Sequence, residues 1–90
     1  MNILQTPTFA RQVKKFNKNQ EVALNKAVQK IVLDPLIGVM KKSDLQGIRV
    51  YKFHTINQQI LLAYEFHKKE SLLVLLAVGP HENFYRNIKG

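Results

Sequence analysis

The last twelve residues, GPHENFYRNIKG, bring together side chains that can transfer protons or bind phosphate: His81, Tyr85, Arg86 and Lys89. They follow SLLVLLAV, an apolar run that predicts a buried strand. Imidazole transfers protons near neutral pH, and cationic groups stabilise the charge that develops on a reacting phosphate. Three interpretations of this tail stay open. It is half of an active site, a segment that docks a partner, or a solvated end of the chain.

A second histidine, His54, is predicted to lie near the tail. Strand-like runs cover residues 48–54, 60–66 and 72–78, with short polar connections between them. If consecutive strands run antiparallel, the end of the first strand lies beside the end of the third. His54 and His81 are therefore expected at one edge of the sheet, and His67 at the opposite edge. Lys52 shares the strand parity of His54, so both side chains should point to one face.

This set of side chains suits cleavage of a phosphodiester bond in RNA. His81 and His54 would act as general acid and general base. Arg86 and Lys52 would stabilise the phosphate, while Tyr85 would stack on a base or assist proton transfer. Each residue also has a simpler interpretation, because a histidine at a strand end is more often a surface or capping residue than a catalyst.

Other cations are expected to bind RNA rather than to react with it: Arg49, Lys41, Lys42 and Lys89. Arg49 lies at the far end of its predicted strand from His54, about 16 Å away at ~3.3 Å per residue. This separation suits the steering of phosphate better than chemistry. The lysines of the helical segments are interpreted as a solvated outer face.

Composition limits the class of protein. Ninety residues, 46% hydrophobic and 22% charged, predict a single globular domain over residues 1–90. Fourteen Lys and Arg against six Asp and Glu give a net charge of +8, which favours a phosphate polymer or an acidic protein as partner. The chain has no cysteine and no histidine spacing typical of a metal site, so we expect no metal. No signal-like or membrane-spanning segment is found, which predicts a cytoplasmic protein.

The elements that position these residues are read from periodicity. Residues 2–5 suit a short strand. Pro7 ends that strand, and Thr8 is predicted to cap a first helix. Residues 17–20 are interpreted as a turn. A second, amphipathic helix follows and ends before Pro35; its apolar positions are Leu24, Ala27, Val28, Ile31 and Val32.

Residues 35–47 are interpreted as a loop that leads into the three strands. The predicted fold is therefore α+β: a short N-terminal strand, a helical hairpin and a three-stranded antiparallel meander, with both helices on one face of the sheet.

The segments LQGIRVYKFH, QQILLAYEF and GPHENFYR, in this order, resemble the RelE/ParE superfamily of toxins from type II toxin–antitoxin pairs. A Leu-x-Gly turn opens the central strands of that family. The resemblance covers nearly the whole chain. It implies either of two activities, since the RelE-, HigB- and YafQ-like branches cleave messenger RNA, usually on the ribosome, whereas the ParE branch poisons DNA gyrase. His81 with Tyr85 four positions later resembles the tail of the ribonuclease branches, and His54 resembles a histidine that some of them carry.

One position departs from the family pattern. RelE proper has an arginine three positions before its middle-strand tyrosine, and counting back from Tyr64 gives Leu61. The YafQ-like branch also has an aliphatic residue there and depends on histidines. The departure weakens RelE-type chemistry without excluding cleavage, and it keeps the gyrase alternative open.

The leading hypothesis is a metal-independent, cofactor-free endoribonuclease that cuts messenger RNA by attack of the ribose 2′-hydroxyl, in the ribosomal A site. A gyrase inhibitor without nuclease activity is the alternative, and a non-toxic docking module is a third class. For either toxin the resemblance implies a cognate antitoxin, which we expect to wrap the helices and sheet with an amphipathic segment and to mask the basic edge.

Overall fold

The described part of the chain forms seven secondary-structure elements. The computed structural model describes residues 1–42, 47–80 and Phe84. Its strands are β1 (Asn2–Gln5), β2 (Val39–Met40), β3 (Arg49–His54), β4 (Gln59–His67) and β5 (Leu72–Pro80), and its helices are α1 (Pro7–Val13) and α2 (Lys18–Leu33). The strands form one sheet in the order β1-β5-β4-β3-β2. The α+β class, the helical hairpin and the antiparallel meander of β3, β4 and β5 are confirmed.

The sheet differs from the prediction at both of its edges. β1 pairs with β5 in parallel, with Asn2 opposite Leu72, so the sheet is mixed. β2 lies within residues 35–47, which were interpreted as a loop, and it pairs with the start of β3. A four-residue strand carries no signal for the direction of its partner, and two residues are too few to show alternation.

The N-cap of α1 lies two residues before the predicted one. Thr6, not Thr8, is the N-cap. The Thr6 hydroxyl accepts a hydrogen bond from the Phe9 N–H at 3.1 Å and donates one to the Leu76 carbonyl at 2.8 Å. Pro7 occupies the first turn, where no intrahelical donor is needed. The same hydroxyl therefore starts the helix and joins it to β5.

α2 begins within residues that were interpreted as a turn. Asn17 and Gln20 form a capping box, in which each side chain accepts a hydrogen bond from the backbone N–H of the other residue at 2.8 Å. Residues 17–20 thus open the helix. Its end at Leu33 agrees with the predicted stop, because Asp34 precedes a proline and has non-helical angles.

The hydrophobic core lies on both faces of β4. On the helical face, side chains of α1 and α2 pack on the sheet; the buried members are Phe9, Leu24, Ile31, Ile60, Leu62, Tyr64, Leu73, Leu75 and Val78. On the other face a smaller cluster contains Val50, Leu61, Ala63, Ala77 and Phe84. β4 serves both faces because its side chains alternate. Opposite the step from Ala63 to Tyr64, β5 has one extra residue, Leu76, which forms a bulge and shifts the register. In the described part of the chain, no helix is long and apolar enough to cross a membrane.

Candidate nucleic-acid interface

β3 separates its reactive side chains from its aromatic ones. Tyr51 and Phe53 stack on each other, with ring centroids 6.4 Å apart, and pack against the core cluster on the helical face of the sheet. Lys52 and His54 alternate with them and are exposed. Because side chains alternate along a strand, these two share the face of Val50, away from the helices. The predicted common face of Lys52 and His54 follows from this alternation.

The register brings three strand termini to one end of the sheet. His54 pairs with Gln59, and Ile60 pairs with Pro80. The end of β3, the start of β4 and the end of β5 are therefore neighbours, and we call this the histidine end. Lys52, Leu61 and Gly79 form one row across the strands, in which the backbones of the outer two are ~10 Å apart because adjacent strands are ~4.8 Å apart.

Gly79 leaves space at the histidine end. A methyl group built on Gly79 would meet no atom of the described residues within 4 Å. Lys52, two strands away in the same row, is exposed. Between them in the row, Leu61 is fully buried in the cluster that contains Phe84, so the sheet face is covered at this point.

The tail residues of the predicted site, His81, Tyr85, Arg86 and Lys89, lie outside the described residues. Pro80, the last residue of β5, lies at the histidine end. The partnership of His54 with His81 stays a prediction.

The outer side of β3 is open next to its reactive residues. β2 covers β3 only as far as Val50, and no described strand pairs with the outer side of residues 51–54. The Lys41 N–H donates to the Ile48 carbonyl. The backbone groups of Ile48 therefore point away from β4. Because this direction alternates from residue to residue along an antiparallel strand, the backbone groups of Lys52 and His54 also point away from β4.

A groove of about 580 Å³ lies between this open side and α2. Lys26 and Lys30 of α2 line it on one side. Lys52 and His54 line it on the other side at the open edge of β3, although their side chains share the face of Val50. The stacked rings of Tyr51 and Phe53 contribute to its lining. A cationic groove with aromatic groups is the surface that single-stranded nucleic acid uses in proteins, because the backbone is anionic and the bases stack.

The Arg49 side chain makes structural hydrogen bonds to the segment after α2. Its guanidinium donates to the carbonyls of Leu36, at 3.2 Å, and Gly38, at 2.8 Å. It lies at the start of β3, at the opposite end of the sheet from His54. These bonds favour an anchoring role for Arg49, and its steering of phosphate stays a prediction.

Tyr64 holds the same segment, between α2 and β2, against the sheet. Its hydroxyl donates to the Pro35 carbonyl at 2.8 Å and accepts from the Gly38 N–H at 2.9 Å. Burial raises the pKa of this phenol above its ordinary value, while the Gly38 hydrogen bond and the charge of Arg49 lower the pKa in part. The sequence pattern singled out Tyr64 only as a family landmark. The signal in the sequence was a phenol within the apolar run of β4. A buried hydroxyl needs hydrogen-bond partners, so the pattern could have indicated an anchoring role.

Two further cations and one histidine lie away from the histidine end. Lys41 and Lys42 follow β2, beside the start of β3. His67 ends β4 at the opposite edge from His54, as predicted, and its Nε2 lies 3.2 Å from a Glu65 carboxylate oxygen. The described members of the predicted RNA-binding set, Arg49, Lys41 and Lys42, therefore lie together at the end of the sheet opposite His54. Among the described residues, no three acidic or histidine side chains are grouped closely enough to hold a metal ion.

The sequence profile of a family described as ParE-like toxin of type II bacterial toxin–antitoxin systems matches residues 3–89. The chain belongs to this family of toxins, and the resemblance drawn from the sequence is confirmed at this level. Among curated proteins, none matches the sequence significantly.

Solved structures with a similar fold are RelE-type toxins. The intact RelBE toxin–antitoxin complex of E. coli gives a TM-score of 0.72 at 16% identity, covering 90% of this chain and 96% of the other. The isolated E. coli RelE toxin gives 0.71 at 16% identity, covering 90% and 84%. The RelBE2 toxin–antitoxin complex of Mycobacterium tuberculosis gives 0.64 at 19% identity, covering 89% and 96%. At these identities the matches show that the fold is shared.

Proposed function

We propose that this toxin is an endoribonuclease that cleaves messenger RNA and so inhibits translation. The observation that carries the proposal is the exposure of Lys52 and His54 on one face of β3, beside a groove lined with lysines. A protein that bound RNA without cutting it would need the cations but would have no use for an imidazole exposed beside them.

The chemistry uses one acid and one base. The base removes the proton from the ribose 2′-hydroxyl, and the resulting oxygen attacks the adjacent phosphorus. The bond from phosphorus to the 5′-oxygen breaks, and the acid gives that oxygen its proton. The products are a 2′,3′-cyclic phosphate and a 5′-hydroxyl. We assign the two proton transfers to His54 and His81, the stabilisation of the phosphate to Lys52 and Arg86, and base stacking or assistance in proton transfer to Tyr85.

The test compares histidines at the two ends of the sheet. His54→Ala and His81→Ala should each lower cleavage by roughly 100-fold or more, because general acid or base catalysis contributes ~10²–10⁴-fold. His67→Ala is the matched control, since His67 is also exposed but lies at the far edge. Growth after induction and the fraction of full-length transcript on translating ribosomes are measured together. Equal loss from His67→Ala, or full cleavage by His54→Ala, would contradict the assignment.

Inhibition of DNA gyrase is the second candidate. Two observations favour it: the matching family is described by ParE, and Leu61 is a buried member of the second core cluster where the resemblance to RelE proper requires arginine. In this case induction should arrest growth with intact transcripts and with cleaved DNA trapped on gyrase. His54→Ala should then remain toxic.

For either activity we propose a cognate antitoxin as partner. The similar structures from E. coli and M. tuberculosis include toxin–antitoxin complexes. The net charge of +8 favours an acidic protein. An unaltered chain that arrests no growth would instead support a docking module without toxicity.

A further inference from the structure

Exposed apolar side chains are concentrated just after α2. Half of the large apolar side chains that are exposed in the described part of the chain fall within residues 33–40. We call them the apolar patch: Leu33, Leu36, Ile37, Val39 and Met40. Leu33 is 86% exposed and Val39 is 62% exposed. A connection with no binding role is ordinarily polar, and clustered exposed apolar groups mark interaction surfaces.

The segment that carries the apolar patch is held firmly. Arg49 and Tyr64 hydrogen-bond to four of its backbone groups, at Pro35, Leu36 and Gly38. Gly38 lies so close to Tyr64 that an added Cβ would come within 2.7 Å of the phenolic oxygen. The buried Tyr64 and the half-buried Arg49 thus fix this segment in a conformation that leaves its apolar groups exposed. Such preorganisation lowers the entropic cost of binding a partner.

The charges around the apolar patch are mostly positive. A cavity of about 440 Å³ is lined by Leu33, Leu36 and Met40 and, on its cationic side, by Arg49 and Lys68. Asp34 adds one negative charge to the lining. The exposed Lys42 follows β2. An apolar surface with a cationic rim is complementary to an amphipathic helix whose apolar face is flanked by acidic residues.

The apolar patch is separate from the histidine end. Met40 pairs with Arg49 at the start of β3, and His54 lies at the other end of that strand. At ~3.3 Å per residue the two ends are about 16 Å apart along the strand. A partner bound to the apolar patch therefore leaves Lys52 and His54 exposed, unless another part of the partner extends to them.

We propose that the apolar patch is the anchoring surface for an acidic amphipathic helix of the cognate antitoxin. This inference rests on the toxin–antitoxin part of the proposed function and not on the choice between RNA and gyrase. Its consequence is that the affinity for antitoxin and the toxicity of the chain depend on different ends of the sheet. A substitution in the apolar patch should release the toxin from its antitoxin without disabling it.

The test uses the full chain with Leu33→Asp and Val39→Asp combined, because both side chains are exposed and their replacement should leave the fold intact. Ile56→Asp is the matched control, since Ile56 is 83% exposed but lines the groove next to His54. The probe is the product of the reading frame that adjoins this gene, titrated by calorimetry. We expect the double variant to raise Kd at least ~10-fold, the loss typical of interface anchors, and the control to change Kd little. Circular dichroism and the melting temperature check the fold.

A growth assay separates the possible results. The double variant should arrest growth as the unaltered chain does, and co-expression of the adjoining product should no longer restore growth. Unchanged affinity in the double variant would overturn the anchoring role and leave the proposed function intact. Lost toxicity with unchanged affinity would assign the apolar patch to the target instead. An unaltered chain that neither arrests growth nor binds the adjoining product would refute the toxin–antitoxin function, and this inference with it.

Discussion

The hydroxyl group of Tyr64 joins two parts of the molecule that are distant in sequence. It lies in β4 and makes two hydrogen bonds to the segment between α2 and β2. The side chain is fully buried, so the loss of the hydroxyl would leave a carbonyl and an N–H group without partners. Leaving a buried group unsatisfied costs about 1–3 kcal/mol, and most of this cost falls on the buried Gly38 N–H, since Pro35 is only half-buried.

Tyr64→Phe should therefore lower the free energy of unfolding by about 1–3 kcal/mol at neutral pH. The pH dependence has a defined sign. Burial raises the pKa of Tyr64 above 10.0 in the folded state, so the neutral phenol is favoured there. Its contribution is complete below the unfolded pKa and is lost as pH rises through the folded pKa. Urea denaturation from pH 7 into the alkaline range measures this loss, which should be smaller in Tyr64→Phe.

Tyr51→Phe provides the control for this prediction. The Tyr51 ring is half-buried, and its hydroxyl has no hydrogen bond to the described residues. The substitution should change the free energy of unfolding by less than about 0.5 kcal/mol. An equal effect of both substitutions would show that the hydrogen bonds of Tyr64 do not anchor the segment after α2.

At the scale of elements, the start of α1 depends on one hydroxyl. Thr6→Ala removes the cap of α1 and the hydrogen bond to Leu76 together, so we expect a loss of about 1–2 kcal/mol. Thr8→Ala is the matched control, because the Thr8 hydroxyl accepts only a long, exposed hydrogen bond from Arg11 at 3.4 Å. Chemical denaturation of both variants measures the difference. A larger loss from Thr8→Ala would support the cap that the sequence predicted.

The elements show what the sequence could and could not predict. Long periodic segments were predicted correctly, because α2 and the strands β3 to β5 owe their structure to apolar patterns that repeat over many residues. The cap of α1 was missed because Pro7 was interpreted only as the end of a strand. Proline is favoured at the first helical position, so the local sequence also favoured Thr6 as the cap. β2 and the parallel pairing of β1 depend on contacts distant in sequence, which no local pattern contains.

The candidate site was predictable to a similar degree. Strand alternation alone placed Lys52 and His54 on one face. The anchoring bonds of Arg49 were not foreseen, since they depend on where the segment after α2 returns to the sheet. Sequence patterns identify residues capable of chemistry, whereas packing decides which of them are already used to hold the structure together.

At the scale of the whole molecule, the two ends of the sheet differ in chemistry. The histidine end carries His54 beside the lysines of the groove, and the other end carries the apolar patch. Phosphate and an antitoxin would then bind to separate surfaces of a domain that measures only 36 × 26 × 22 Å. The net charge of +8 attracts anionic partners to all sides, so binding of RNA as such does not identify the surface that it uses.

Salt dependence identifies that surface. The logarithm of the affinity for single-stranded RNA falls with the logarithm of salt concentration, by about 0.7 for each phosphate neutralised. Lys26→Gln with Lys30→Gln removes two cations of the groove, so the slope should decrease by roughly 1.4 if both contact phosphate. Lys68→Gln with Lys69→Gln removes the same charge from the turn between β4 and β5 and should leave the slope nearly unchanged. Fluorescence anisotropy with a short RNA measures both. Because net charge falls equally in the two variants, only local contact with RNA can separate their slopes, and equal slopes would exclude the groove as the RNA-binding surface.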